Sequence, residues 1–282
     1  MEKKLTAQGP KDRKSYTVTL PLDWVRQEGL NKSKSVELEI IGKKVLISPK
    51  KEVSSREIVD LAKYPHVVTK VLPGLYRMGI NEIKLLYHTS LQLQEIVEIV
   101  NSRLIGYEII EQTKEYVLIK DITTEAGEEF ETLLRRVFLL LLELIESREL
   151  SQINILDQNI KKIINYCQRI LIKKGHTEYT KTPFYFVLLD QIEKITDEYT
   201  WLLQSPPHDT KLVREMNRSL RKAYELYYKF NPLEFDAHEY TTFQLRKKIR
   251  SQEKLSLFDL HIHNLARQLN TVYGTIFALR YK

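Results

Sequence analysis

The chain has 282 residues, 29% of them charged and 43% hydrophobic, and 44 Lys and Arg against 37 Asp and Glu give a formal charge of +7. That length accommodates two or three domains, and the single cysteine, Cys167, excludes a disulfide framework or a thiolate zinc site within one chain. The most apolar run, Val137–Leu142, is cut by Arg135, Arg136 and Glu143, far short of the ~20 residues that span a bilayer. The first ten residues lack an apolar core of signal-peptide length, so a cytoplasmic protein is expected.

Residues 11–30 combine a basic loop, a strand and a short helix. Tyr16, Val18 and Leu20 alternate with Thr17 and Thr19, the period of a half-buried strand. Pro21 ends that strand and suits the first turn of a helix, and Gly29 can supply a left-handed cap eight residues later. Val36–Ile40 and Val45–Ile47 then read as a hairpin joined by Gly42-Lys43. So small a fragment buries too little apolar area to stand alone and needs a partner.

This order of elements is similar to the AbrB/SpoVT family of DNA-binding modules. The matching residues are Ser15-Tyr-Thr-Val-Thr-Leu-Pro21, Trp24-Val25, Gly29-Leu30, Val36-Glu-Leu and Gly42-Lys-Lys-Val-Leu-Ile-Ser-Pro49, and Ser33-Lys34 departs from the family's usual Gly-Asp. The resemblance implies that two chains interleave hairpins into one small barrel that grips DNA. Charge agrees: residues 1–52 hold twelve Lys and Arg against seven Asp and Glu, a footprint suited to a phosphate backbone. The expected DNA contacts are Lys11, Arg13 and Lys14, with Arg26, Lys32 and Lys34 in support.

Residues 53–122 read as a small α+β connector. Ser55, Ile58, Leu61 and Ala62 predict a helix that ends before Pro65. Ile83–Tyr87 predicts a strand, Ser90 caps a helix through Leu104, and Tyr107–Ile110 and Tyr116–Ile119 pair across the polar turn Glu111–Glu115.

From residue 123 to 282 strand signals vanish and six helices are predicted. The first opens near Thr123 or Thr124 and carries Phe130 to Ile145. The second runs from Ile153 to Gly175, the third from Pro183 to Pro206, and the fourth from Thr210 to Phe230. A fifth starts at Asp236, and the last carries Leu255 to Leu279. Apolar residues spaced by threes and fours keep one seam facing the neighbours, and long helices with short links make a bundle.

Asp157-Gln-Asn-Ile-Lys161 with Arg169, and Leu189-Asp-Gln-Ile-Glu193-Lys-Ile-Thr-Asp197, resemble the paired helices of PhoU domains. In that family, acids at i and i+4 line the bundle and hold metal, because the spacing aims both carboxylates at one point on a helix face. The resemblance implies a divalent or ferric ion held by Asp157, Asp190, Glu193 and Asp197. Lys161 stands where a second acid belongs, and an ion pair from its ammonium to a carboxylate can replace that metal.

An AbrB-like module ahead of a PhoU-like bundle, joined through Leu104-Ile-Gly-Tyr-Glu-Ile-Ile-Glu111, resembles the archaeal PhoU-type regulators. That likeness implies a homodimeric or larger even-numbered DNA-binding transcription regulator linked to phosphate uptake, whose bundle senses a signal or binds a phosphate-signalling partner. The alternative is an adaptor that binds a phosphate transporter or its kinase through the bundle, with the N-terminal module serving only to dimerise. No nucleophile, base and orienting group can be assembled from the motifs, so an enzyme is not expected.

Overall fold

A computed structural model describes residues 2–10, 14–41, 44–49, 56–123, 129–204 and 210–281. The chain divides into two compact units, Met1–Val53 and Ser54–Lys282.

In the first unit, β1 (Thr6–Gln8) pairs antiparallel with β2 (Ser15–Thr17), which is shorter than the strand expected over residues 16–20. Pro21 leads into α1 (Leu22–Gln27), and Gly29, at φ 64°, takes the left-handed conformation expected of it. Gly29 also opens the single turn α2 (Leu30–Ser33), which ends on Lys34 at φ 51°, a left-handed position that costs a non-glycine residue about 1 kcal/mol. The predicted hairpin is present as β3 (Val36–Ile41) against β4 (Lys44–Pro49), in register from Val36↔Pro49 to Ile41↔Lys44. Its turn, Gly42-Lys43, lies outside the described residues. Within one chain, the described strands of this unit form two separate two-stranded sheets and no closed barrel.

The second unit starts with β5 (Arg56–Asp60) and a 3-10 turn at Leu61–Lys63. This corrects the helix predicted there. The Ile58, Leu61, Ala62 spacing fits a helix, but Arg56–Asp60 instead finds backbone partners by pairing in parallel with β6 (Glu82–Leu86). Between them lies α3 (Val68–Arg77), an element not among those expected, with Pro73 inside it. Next come α4 (Ser90–Arg103), β7 (Tyr107–Gln112) and β8 (Tyr116–Asp121), completing a sheet of order β5-β6-β8-β7. Thr89, one residue before the expected Ser90, caps α4 through the Gln92 amide. The core of this layer joins Leu72 and Tyr76 of α3 and Ile96 and Val100 of α4 to Ile83, Leu85, Val117 and Ile119 of the sheet, all buried.

Among the described residues six α-helices follow: α5 (Phe130–Leu144), α6 (Leu150–Lys174), α7 (Thr182–Gln204), α8 (Thr210–Tyr228), α9 (Pro232–Arg250) and α10 (Leu257–Arg280). α9 begins four residues before the expected Asp236. Asn231 accepts the amides of Leu233 and Glu234 as a cap, and Pro232 starts the helix, where a missing N–H costs nothing. The start expected for α5 near Thr124 falls outside the described residues. Thr123 does not enter the helix, because its amide and hydroxyl both bond Asp121. Leu134, Val137, Leu141, Ile160, Leu188, Ile195, Leu265 and Ile276 meet in one continuous buried core.

The α+β layer packs onto the bundle through α6, which touches both α3 and α4. One buried cation pins the contact. Arg169, 3% exposed, donates to the Tyr76 carbonyl at 2.6 Å, Asn81 Oδ1 at 3.1 Å and Asp121 Oδ2 at 2.6 Å. Its guanidinium lies 4.9 Å from the Tyr76 ring and 5.1 Å from the Tyr107 ring, close enough for attraction to both faces.

Candidate functional site

Of the acidic residues singled out in the sequence, Asp157 of α6 and Asp197 of α7 are joined through a shared ammonium. Lys161 of α6 donates to Asp157 one turn earlier at 2.9 Å and to Asp197 of α7 at 2.6 Å, tying the two helices together. Burial works against the ammonium, but the bonds it donates to Asp197 and Asp157 outweigh it, so Lys161 titrates above the ordinary lysine range. The Thr200 hydroxyl also reaches Asp157, at 3.5 Å. Asp190 pairs instead with Lys194 on its own helix, at 2.6 Å.

Glu193 is the exception. Among the described residues it makes no hydrogen bond or ion pair, and burial pushes its carboxyl above the usual range while the charges of Arg77 and Lys161 pull the other way. It lines a polar cavity of about 270 Å3 with Asp190 and Asp197, floored by Lys161 and Asn165 of α6. The other wall comes from the α+β layer: Thr69, Lys70, Pro73 and Arg77 of α3 and Arg103 at the end of α4. The acids on α6 and α7 were legible from sequence. The facing cations were not, because only the packing of α3 and α4 on α6 brings them there.

A metal ion does not fit this arrangement. Lys161 Nζ lies within hydrogen-bonding distance of both Asp157 and Asp197, so a fixed positive charge is already supplied where an ion would bridge the helices. Among the described residues no three His, Cys, Asp or Glu side chains form a group able to hold a metal. After exposure to ferric or zinc ions and desalting, the natural chain is expected to retain no stoichiometric metal by elemental analysis. Lys161→Asp, which completes the i,i+4 acid pair with Asp157, is expected to retain some. Stoichiometric metal on the natural chain would show that the ammonium moves aside.

In the N-terminal unit, Lys14 precedes β2, Arg26 lies in the last turn of α1, and Lys32 and Lys34 lie at α2. All four are exposed, and none forms an ion pair with the described residues. Lys11 and Arg13 lie outside the described residues. No helix among the described residues is long and apolar enough to cross a membrane. Compared with known proteins, the chain matches no family model, no curated sequence and no solved structure.

Proposed function

We propose that this chain is a dimeric DNA-binding transcription regulator. Two copies of residues 1–52 interleave their hairpins into one AbrB/SpoVT-like barrel, and the PhoU-like bundle carries the signal that links regulation to phosphate homeostasis. The observation that carries this reading is how little the N-terminal unit buries. Leu5, Tyr16, Leu22, Leu38, Ile40, Val45 and Leu46 are all more than half exposed, and Leu30 is the only buried hydrophobic residue described there. Apolar strands left this open in water need a cover, and a second copy supplies matching hairpins under two-fold symmetry. The net charge of +5 on residues 1–52 then appears twice on one surface.

Light scattering on the full chain at micromolar concentration tests the first step. A dimer or larger even-numbered assembly is expected, and Leu38→Lys combined with Leu46→Lys should dissociate it. A monomeric natural chain would overturn the reading.

A further inference from the structure

The geometry points to an oxyanion site in the cavity between α3, α4, α6 and α7, built for inorganic phosphate, an oxyanion that keeps a hydrogen at neutral pH. It goes beyond the DNA reading and stands on residues 54–282 alone, so it would survive a failure of residues 1–52 to bind DNA.

Charge pairing inside the cavity singles out the ligand class. Lys161 is satisfied by Asp157 and Asp197, and Lys194 by Asp190. That leaves Lys70, Arg77 and Arg103 as the cations lining the cavity with no ion pair among the described residues, although Arg77 is near enough to act on the Glu193 carboxyl. Arg77 makes only a long 3.5 Å contact to Gln168, and Arg103 uses its carbonyl, not its guanidinium, to accept from Asn165. Two forked guanidiniums and an ammonium around one polar cavity suit a group with several charged oxygens, which can take paired hydrogen bonds from each fork.

The remaining carboxyl sets the choice among oxyanions. Glu193 lines the same cavity without a bond of its own. Against sulfate, which has no hydrogen at neutral pH, an ionised Glu193 only repels. Against monohydrogen phosphate, one proton lies between the two oxygens, donated by either side, and the repulsion becomes a charge-assisted hydrogen bond. At about 270 Å3 the cavity has room for a phosphate ion; a phosphate monoester, whose second proton leaves at about pH 6, meets Glu193 as sulfate does.

Calorimetric titration of the full chain at pH 7.5 and constant ionic strength tests this with three probes: inorganic phosphate, glycerol 3-phosphate and sulfate. Phosphate should bind one per chain, and glycerol 3-phosphate, a dianion without a phosphoryl hydrogen at this pH, should bind more weakly. Sulfate should bind at least about tenfold more weakly, the worth of one hydrogen bond to a charged group. Arg103→Gln should weaken phosphate at least about tenfold for the same reason, and Lys70→Gln, at an exposed position, serves if the first variant misfolds. Glu193→Leu should narrow the preference over sulfate. Absence of saturable phosphate binding, equal binding of sulfate, or phosphate affinity unchanged in folded Arg103→Gln or Lys70→Gln would each overturn the assignment.

Discussion

Arg169→Met is expected to lower the unfolding free energy of residues 54–282 by about 3–5 kcal/mol, the cost of removing one partner of a buried ion pair. Methionine replaces most of the volume but none of the donors. Asp121, whose side chain is 10% exposed, loses its 2.6 Å bond, and the Tyr76 carbonyl loses a guanidinium donor. Lys173 stays 3.8 Å from Asp121 and softens the loss. For a unit of this size the change amounts to about 6–20 °C in melting temperature. Adding Asp121→Asn should recover part of it, because the uncompensated charge disappears. The deficit should also depend on pH. Burial alone would raise the Asp121 carboxyl, but the bonds from Thr123 and Arg169 outweigh it and hold it below the usual range. The stability this contributes is present above the unfolded carboxylate value of about 3.9 and is lost as pH falls through the lower folded value. The gap between variant and natural chain should therefore narrow in acid. Equal denaturation midpoints at neutral pH would show that Arg169 does not hold the α+β layer to the bundle.

The second large effect concerns DNA. Replacing Lys11, Arg13 and Lys14 together with alanine is expected to make the log–log dependence of DNA affinity on salt shallower by about 5. Each phosphate contact contributes about 0.9, and the two-fold presents each residue twice. Low-salt affinity should fall roughly a thousandfold or more. The single variants should differ. Losing either lysine weakens all sequences alike, since an ammonium neutralises phosphate without reading bases. Arg13→Ala should also relax sequence preference by about 1–3 kcal/mol if its guanidinium forks onto a guanine edge. An adaptor that uses residues 1–52 only to dimerise shows none of this. A folded, dimeric triple variant with unchanged affinity and slope would remove the basic loop from the DNA surface.

Legibility followed the range of the interactions. The six bundle helices were readable because their apolar seams repeat locally, at spacings such as Leu134, Val137, Leu141 and Leu265, Leu269, Val272, Ile276. The β3–β4 hairpin was readable for the same reason: its partner lies a few residues away. β5 was not, because Arg56–Asp60 takes its hydrogen bonds from residues 82–86, across an intervening helix that Pro73 hides from a pattern search. The cavity divides in the same way. Its acidic wall obeys helical spacing on α7, whereas Lys70, Arg77 and Arg103 lie on segments of no distinctive pattern and reach the site only through tertiary packing. Lys161 fell between the two: its position beside an acid was evident, but its reach to Asp197 on the next helix was visible only in three dimensions.

The ammonium between α6 and α7 changes what this protein depends on. A bundle whose helices are clamped by iron or zinc inherits the supply of those elements, and scarcity or a competing chelator can empty it. Here the clamp is translated with the chain. Lys161 arrives in one copy per polypeptide, bound covalently, and neither dilution nor sequestration can withdraw it. The bridge that Lys161 makes between Asp157 and Asp197 draws on no metal ion.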